Sequence, residues 1–146
     1  MSRLSERAER TPPSGIRRFF EIAEEMDDVI SLGVGEPDFS APWQARKAAI
    51  DALERGQTSY TSNRGRRDLR EAIAAHARRY GHDYDPESEV LVTTGVSEAM
   101  DLAMRALVDP GDVVAVAEPA YISYGPDASF AGGDVLPVLT DAAEEF

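Results

Sequence analysis

Apolar residues recur along this chain at two spacings, and the switches between them mark out helices and strands. Ile16, Phe19, Phe20, Ile22 and Ala23 fall at roughly helical intervals and predict a short helix that Asp27 and Asp28 end. The dozen residues before it are polar and charged, close on Thr11-Pro12-Pro13, and predict an extended arm. Val29, Ile30 and Leu32 predict a short strand that stops at Gly33-Val34-Gly35-Glu36-Pro37, because proline lacks a donor and restricts the residue before it. Ser40 and Pro42 then open a helix with a stripe of Ala45, Ala48, Ala49, Ala52 and Leu53, which Gly56 ends. Lys47 falls on its opposite face. A further helix, from about Arg66 to Tyr80, is expected to bury Leu69, Ala72, Ile73, Ala77 and Tyr80 and to stop at Gly81. His76 shares that face as a structural, hydrogen-bonded histidine, and His82 beyond the cap is solvated.

In the second half the runs change character. Residues 90–94, Val-Leu-Val-Thr-Thr, predict a buried strand that turns at Gly95-Val96-Ser97 into a helix carrying Ala99, Met100, Ala103, Ala106 and Leu107, with Met100 and Met104 in the core. Asp109-Pro110-Gly111-Asp112 turns the chain into Val113-Val114-Ala115-Val116, a continuous apolar run expected of a strand covered on both faces. Strand, helix and strand in this order predict a right-handed parallel crossover in an α/β fold. Val135-Leu136-Pro137-Val138-Leu139 gives one more strand, followed by an acidic end. The turn at Gly95 is a candidate phosphate site: the first turn of a helix offers unpaired N–H groups and the positive end of the macrodipole. Glycine there lets a ligand approach the backbone, and the Ser97 hydroxyl adds a donor.

Further motifs flank that turn in a fixed order. They are Pro13-Ser14-Gly15-Ile16-Arg17, then Ile30 to Phe39 with Gly33-Val34-Gly35-Glu36-Pro37-Asp38, then Tyr60-Thr61 with Gly65 and Leu69-Arg70-Glu71-Ala72-Ile73. Asp109-Pro110-Gly111-Asp112 and Glu118-Pro119-Ala120-Tyr121-Ile122-Ser123-Tyr124 come after it. The series resembles the beginning of a class I/II aminotransferase, a fold-type I enzyme that uses pyridoxal 5'-phosphate. The resemblance runs from about Pro13 to the last residue and covers less than half of a family member. It implies the start of the mixed, mostly parallel-sheet large domain, incomplete here: residues 1–41 would be an N-terminal arm and small-domain segment, and 42–146 the N-terminal part of the cofactor-binding domain. It also implies that Gly95, Val96 and Ser97 hold the cofactor phosphate, that the Tyr121 ring stacks on the pyridine face, and that Tyr60 reaches the neighbouring subunit's phosphate in a homodimer. Gly35 would meet the substrate carboxylate. The implied substrates are an amino acid and a 2-oxo acid.

The resemblance assigns no catalytic residue to this chain. The family's cofactor-binding lysine, the acid at the pyridine nitrogen, the asparagine beside the ring hydroxyl and the arginine for the α-carboxylate all lie downstream of Phe146. The sole lysine, Lys47, falls on the solvent face of a helix and is a poor substitute. Two alternatives follow: a lyase or synthase of the same fold, or a truncated, non-catalytic dimerisation or binding module. A nucleotide-binding module built on Gly33-Val34-Gly35 is disfavoured, since Asp38 replaces the third glycine of the dinucleotide fingerprint and Pro37 blocks a helix start.

Composition narrows the classes. With 27 acidic against 15 basic residues the net charge is -12, which repels nucleic acid and anionic membrane. All basic residues but Lys47 are arginine, a balance resembling that of proteins from high-salt cytoplasm. There is no cysteine, hence no disulfide or thiolate metal site, and the two histidines are too few for a zinc constellation. No apolar run approaches the ~18 residues of a membrane span, and the start lacks the apolar core of a signal peptide, so a soluble cytoplasmic protein is expected. A 42% hydrophobic content suffices for a sizeable core, yet a sheet that ends early would leave an open edge and an uncovered face. The chain by itself is therefore expected to unfold with poor cooperativity or to aggregate.

Overall fold

A computed structural model describes residues 3–11, 13, 15–30, 35 and 37–144, apart from the side chains of Arg17 and Glu144. The chain forms two compact units, residues 18–92 and residues 1–17 with 93–146.

Helices dominate the first unit. α1 (Glu6–Arg10) precedes it in the chain, and α2 (Ile16–Glu24) leads into it. The strand expected after α2 does not form at Val29 and Ile30, which are exposed and carry no ladder; residues 31–34 lie outside the described residues. α3 (Trp43–Glu54) begins at Pro42 and ends in a left-handed Gly56. The Gly56 N–H donates to the Leu53 carbonyl at 2.9 Å and the Gln57 N–H to the Ala52 carbonyl at 3.0 Å, the paired bonds that close a helix where glycine turns left-handed. α4 (Arg67–Ala77) continues as a 3-10 turn over Arg78–Tyr80 and closes at Gly81 in the same way.

Burial on α4 departs from the expected stripe. Leu69, Ile73 and Tyr80 are exposed, while Arg70 (5% exposed) and Ala74 are covered. The cause is polar. Arg70 Nη1 donates to the Pro86 carbonyl, and both terminal nitrogens lie 3.4 Å from Glu87 Oε2. Arg67 Nε reaches Glu87 Oε1 at 3.2 Å, and Arg64 donates to the Glu87 carbonyl. Three arginines thus bind the segment Asp85–Glu89 to α4 and the chain before it, and a buried guanidinium takes the place expected for leucine and isoleucine. His76 is exposed, its ring 5.3 Å from that of Tyr80, rather than structural and buried. His82 is exposed, as expected.

Residues 90–94 form no strand and have no ladder partner among the described residues; Val92 N–H donates instead to the Arg64 carbonyl at 3.0 Å. A strand exists only where a neighbour takes its backbone groups, and apolar sequence alone does not supply one.

The second unit contains the sheet. α5 (Gly95–Leu107) leads through a tight turn, with Asp112 N–H on the Asp109 carbonyl at 3.0 Å, into β1 (Val113–Glu118). α6 (Tyr124–Ala131) connects β1 to β2 (Asp134–Leu139), which pairs parallel to β1 in the register Val113↔Asp134 to Glu118↔Leu139. The parallel crossover was expected from residues 90–94 through α5 to β1; it runs instead from β1 to β2 through α6, a helix that was not foreseen, because residues 90–94 find no ladder partner among the described residues. β1 is half-buried at Val114 and Val116 and exposed at Val113 and Ala115, so one face is covered rather than two. The arm is not wholly extended: Ser5 caps α1 by accepting from the Ala8 N–H at 3.3 Å, and Arg7 Nη1 donates to the Phe130 carbonyl at the end of α6.

Among the described residues, only Arg70, Ala74, Val90, Ala128 and Gly133 are buried. The sizeable core expected from composition is not gathered here. Met100 and Met104 are half-buried and Leu107 is exposed, because two strands cover one side of few helices.

Candidate functional site

Connectivity decides which ends of the second unit meet. The Val108–Asp112 turn after α5 packs on the Gly132-Gly133 turn after α6: a Cβ on Gly133 would stand 2.7 Å from Val108 Cγ1, and Asp134 N–H donates to the Asp112 carbonyl at 2.8 Å. Helix α5 also packs along α6. The two helices therefore run side by side in the same direction, and their N-termini share the end where β1 finishes. In parallel α/β units that carboxyl end of the strands is where ligands bind.

Gly95, Val96 and Ser97 form the first turn of α5, and all three are exposed. Gly95 is left-handed at φ +79°, and a Cβ built on it would meet nothing within 4 Å. The Thr94 side chain makes no capping hydrogen bond, while Glu98 accepts from the Thr94 N–H. The acid thus binds the N-cap amide from the fourth helical position, and the N-cap side chain takes no amide of the first turn. Those donors stay available to an anion. Glu98 was not singled out from the sequence, and four residues beyond Thr94 it falls outside the spacing of a capping box.

Tyr121 lies in the β1–α6 loop, 55% exposed, at the rim of a hollow of about 390 Å³ that Glu118, Pro119 and Val135 also line. The loop is tied at its start, where the Thr140 N–H and hydroxyl both donate to the Glu118 carbonyl at 2.9 and 2.6 Å. It is tied again at its end, where the Tyr124 N–H donates to the Tyr121 carbonyl at 3.2 Å and the two rings meet edge to face at 5.7 Å. The topology thus sets Tyr121 and the α5 turn at one end of the unit. A larger hollow of about 880 Å³, between α1 and α6, contains none of the expected site residues.

Tyr60 and Gly35 belong to the first unit. Tyr60 stands wholly exposed on the loop between α3 and α4, and Gly35 is exposed with open space about it. Below Tyr60 the loop is fixed. Gly65, at φ +89°, rests so close to Val92 that a Cβ would fall 2.5 Å from the valine Cβ. Arg66 grips Asp68, and that hydrogen bond, with the aspartate's charge, raises the guanidinium pKa and lowers the carboxyl. Lys47 holds Asp51 at 3.0 Å on the exposed face of α3, as its position implied. Among the described residues, no group of three or more His, Asp or Glu side chains is placed to hold a metal ion, and no helix is long and apolar enough to cross a membrane.

The model for aminotransferases of class I and II matches residues 27–146. The chain belongs to the class I and II aminotransferase family. It is 47% identical over 146 residues to YugH of Bacillus subtilis, covering 99% of this chain and 38% of that protein. It is 40% identical to an aspartate aminotransferase of Pyrococcus abyssi, over 98% of this chain and 37% of that one. Among solved structures, the aspartate aminotransferase of Thermotoga maritima matches with a TM-score of 0.90 and 37% identity, over 97% of this chain and 39% of that chain. The fold is that of fold-type I aminotransferases, and this chain spans under two-fifths of the length of those family members. An open α5 turn and an exposed tyrosine at one end of a parallel unit fit a flat, phosphorylated cofactor such as pyridoxal 5'-phosphate.

Proposed function

We propose that this chain supplies part of the cofactor site of a pyridoxal 5'-phosphate-dependent aminotransferase, which moves an amino group between an amino acid and a 2-oxo acid. The enzyme works as a cytoplasmic homodimer with shared active sites. Residues 1–41 are its arm and small-domain segment, and 42–146 begin the cofactor-binding domain. The observation that carries this proposal is the uncapped first turn of α5 beside the Tyr121 loop, in a chain of this family. The relatives include an aspartate aminotransferase and an aromatic-amino-acid aminotransferase, so the substrates are proposed by class.

When bound, the cofactor supplies an electron sink for charge that develops at the substrate α-carbon. The N–H groups of Gly95, Val96 and Ser97, with the Ser97 hydroxyl, hold its phosphate. Tyr121 presents a flat ring that fixes the plane of the cofactor ring, and with it the orientation of the reacting bond. Gly35, without a Cβ, lets the substrate carboxylate reach the backbone. Tyr60 extends from one subunit to the phosphate held by the other.

The test is to assay the native gene product, at whatever length the cell makes it, against panels of amino acids and 2-oxo acids. Amino-group transfer is expected, with kcat/KM falling about 10- to 100-fold in Tyr121→Ala. Release of ammonia or of a cleaved side chain without transfer would mark a lyase of the same fold and overturn the proposal.

A further inference from the structure

The loop that carries Tyr60 is tied across its base by one side chain. Arg66 Nη1 donates to Gln57 Oε1 at 3.2 Å, joining the third residue of the connection between α3 and α4 to its last. The rest of the guanidinium is also engaged: Nε and Nη2 donate to the two Asp68 oxygens at 3.0 and 2.5 Å. Asp68 Oδ1 accepts in turn from the Leu69 N–H at 2.9 Å, in the first turn of α4. At the other foot, Gln57 is held through its N–H on the Ala52 carbonyl at the end of α3. A continuous line of contacts thus runs from the end of one helix to the start of the next, with Arg66 at its centre.

Within the loop, Gly65 N–H donates to the Ser62 carbonyl at 2.8 Å, and Arg64 N–H lies 3.3 Å from Ser62 Oγ. All this ordering lies beneath an aromatic ring, Tyr60, that no described residue covers. The planar fork grips the carboxylate along one edge with Nε and Nη2 and, held in that plane, still offers Nη1 to the amide.

We propose that Arg66 is a positioning residue: by bridging Gln57 and Asp68 it sets where Tyr60 is presented to the cofactor phosphate of the neighbouring subunit. This rests on the role given to Tyr60 above and adds the device that aims it. Gln57 and Arg66 touch neither cofactor nor substrate in this account, and they act through the loop alone.

The experiment measures the dissociation constant of pyridoxal 5'-phosphate from the native gene product by equilibrium dialysis, with thermal unfolding followed in parallel. Arg66→Leu and Gln57→Leu are each expected to weaken binding about two- to fivefold, the scale of one exposed charged contact, with little change in melting temperature. Gln57→Glu keeps an acceptor for Arg66 and should bind within about twofold of the parent. Tyr60→Phe combined with Arg66→Leu should be no weaker than Tyr60→Phe alone. If Tyr60→Phe weakens binding while Arg66→Leu does not, or if the two effects add, the positioning role is overturned and the Tyr60 assignment stands. If Tyr60→Phe has no effect, both fall together.

Discussion

The two units hold out their exposed candidate residues by different means. In residues 18–92, Tyr60 rests on a loop fixed by polar contacts far apart in sequence: Arg66 with Gln57, Arg64 with Glu87 and Val92, and a buried Arg70 that binds the Pro86 carbonyl. In the unit of residues 93–146, the α5 turn and Tyr121 are placed by a strand–helix–strand crossover whose helices run side by side, and few charged groups are involved. Polar fixing serves a loop that no sheet supports. The crossover needs little of it, because strand pairing already sets where each loop begins.

Substitutions that remove one kind of support should leave the other unit unaffected. The largest effect is expected from Gly65→Ala. A methyl group there overlaps Val92 and forces an L-residue to φ +89°, a cost of about 2–4 kcal/mol read as a lower urea midpoint. Hydrogen exchange should quicken across residues 57–92 and not across β1 and β2. Next comes Arg70→Ala, which strips the Pro86 carbonyl and Glu87 of their buried partner and should cost about 2–3 kcal/mol by the same measurement. An unchanged midpoint would mean that the arginines decorate the segment rather than hold it.

How much of this was legible in the sequence follows from the same contrast. Helical spacing and terminal glycines located α2, α3, α4 and α5 to within a residue or two, because capping is a local matter. The strands β1 and β2 were legible as two apolar runs, whereas the crossover was placed one unit too early, between residues 90–94 and β1. α6 was not, since Gly125 and Pro126 near its start hide a helix with little amphipathic pattern; Pro126 in the first turn and Gly132 after the end were the signals available. The exposed face of α4 was misjudged because burial there is decided by Arg70 and its carbonyl partner sixteen residues away, which no periodicity reports. Of the site, the open turn at Gly95–Ser97 was legible from glycine and helix start alone. The lack of a capping side chain at Thr94 and the anchoring of the Tyr60 loop were not, because neither is fixed by local spacing.

The smallest expected effects differ in sign between the units. Asp85 accepts from the Ser88 hydroxyl and the Glu87 N–H, with Arg64 and Arg70 adding attraction, and its pKa is lowered. Its stabilisation is present above the unfolded value and fades as pH falls through the folded one. Asp127 is raised, by burial first and Asp101 second, so its contribution is fully present below the unfolded value and lost as pH rises through the folded one. Asp85→Asn should therefore destabilise at neutral pH and make no difference in strong acid. Asp127→Asn should stabilise slightly at neutral pH, by about 0.5 kcal/mol or less, and likewise lose its effect in acid. Urea midpoints measured from pH 3 to 8 would separate the two.

The central claim is that the first turn of α5 is an anion seat for a phosphorylated cofactor, and phosphate dependence of binding tests it most directly. Equilibrium dialysis of the native gene product against pyridoxal 5'-phosphate and against unphosphorylated pyridoxal should show a strong preference for the phosphate. Gly95→Val, which puts a side chain where the backbone must be bare, should erase most of that preference while pyridoxal binding stays nearly unchanged. An equal preference in the variant and the parent would contradict the account.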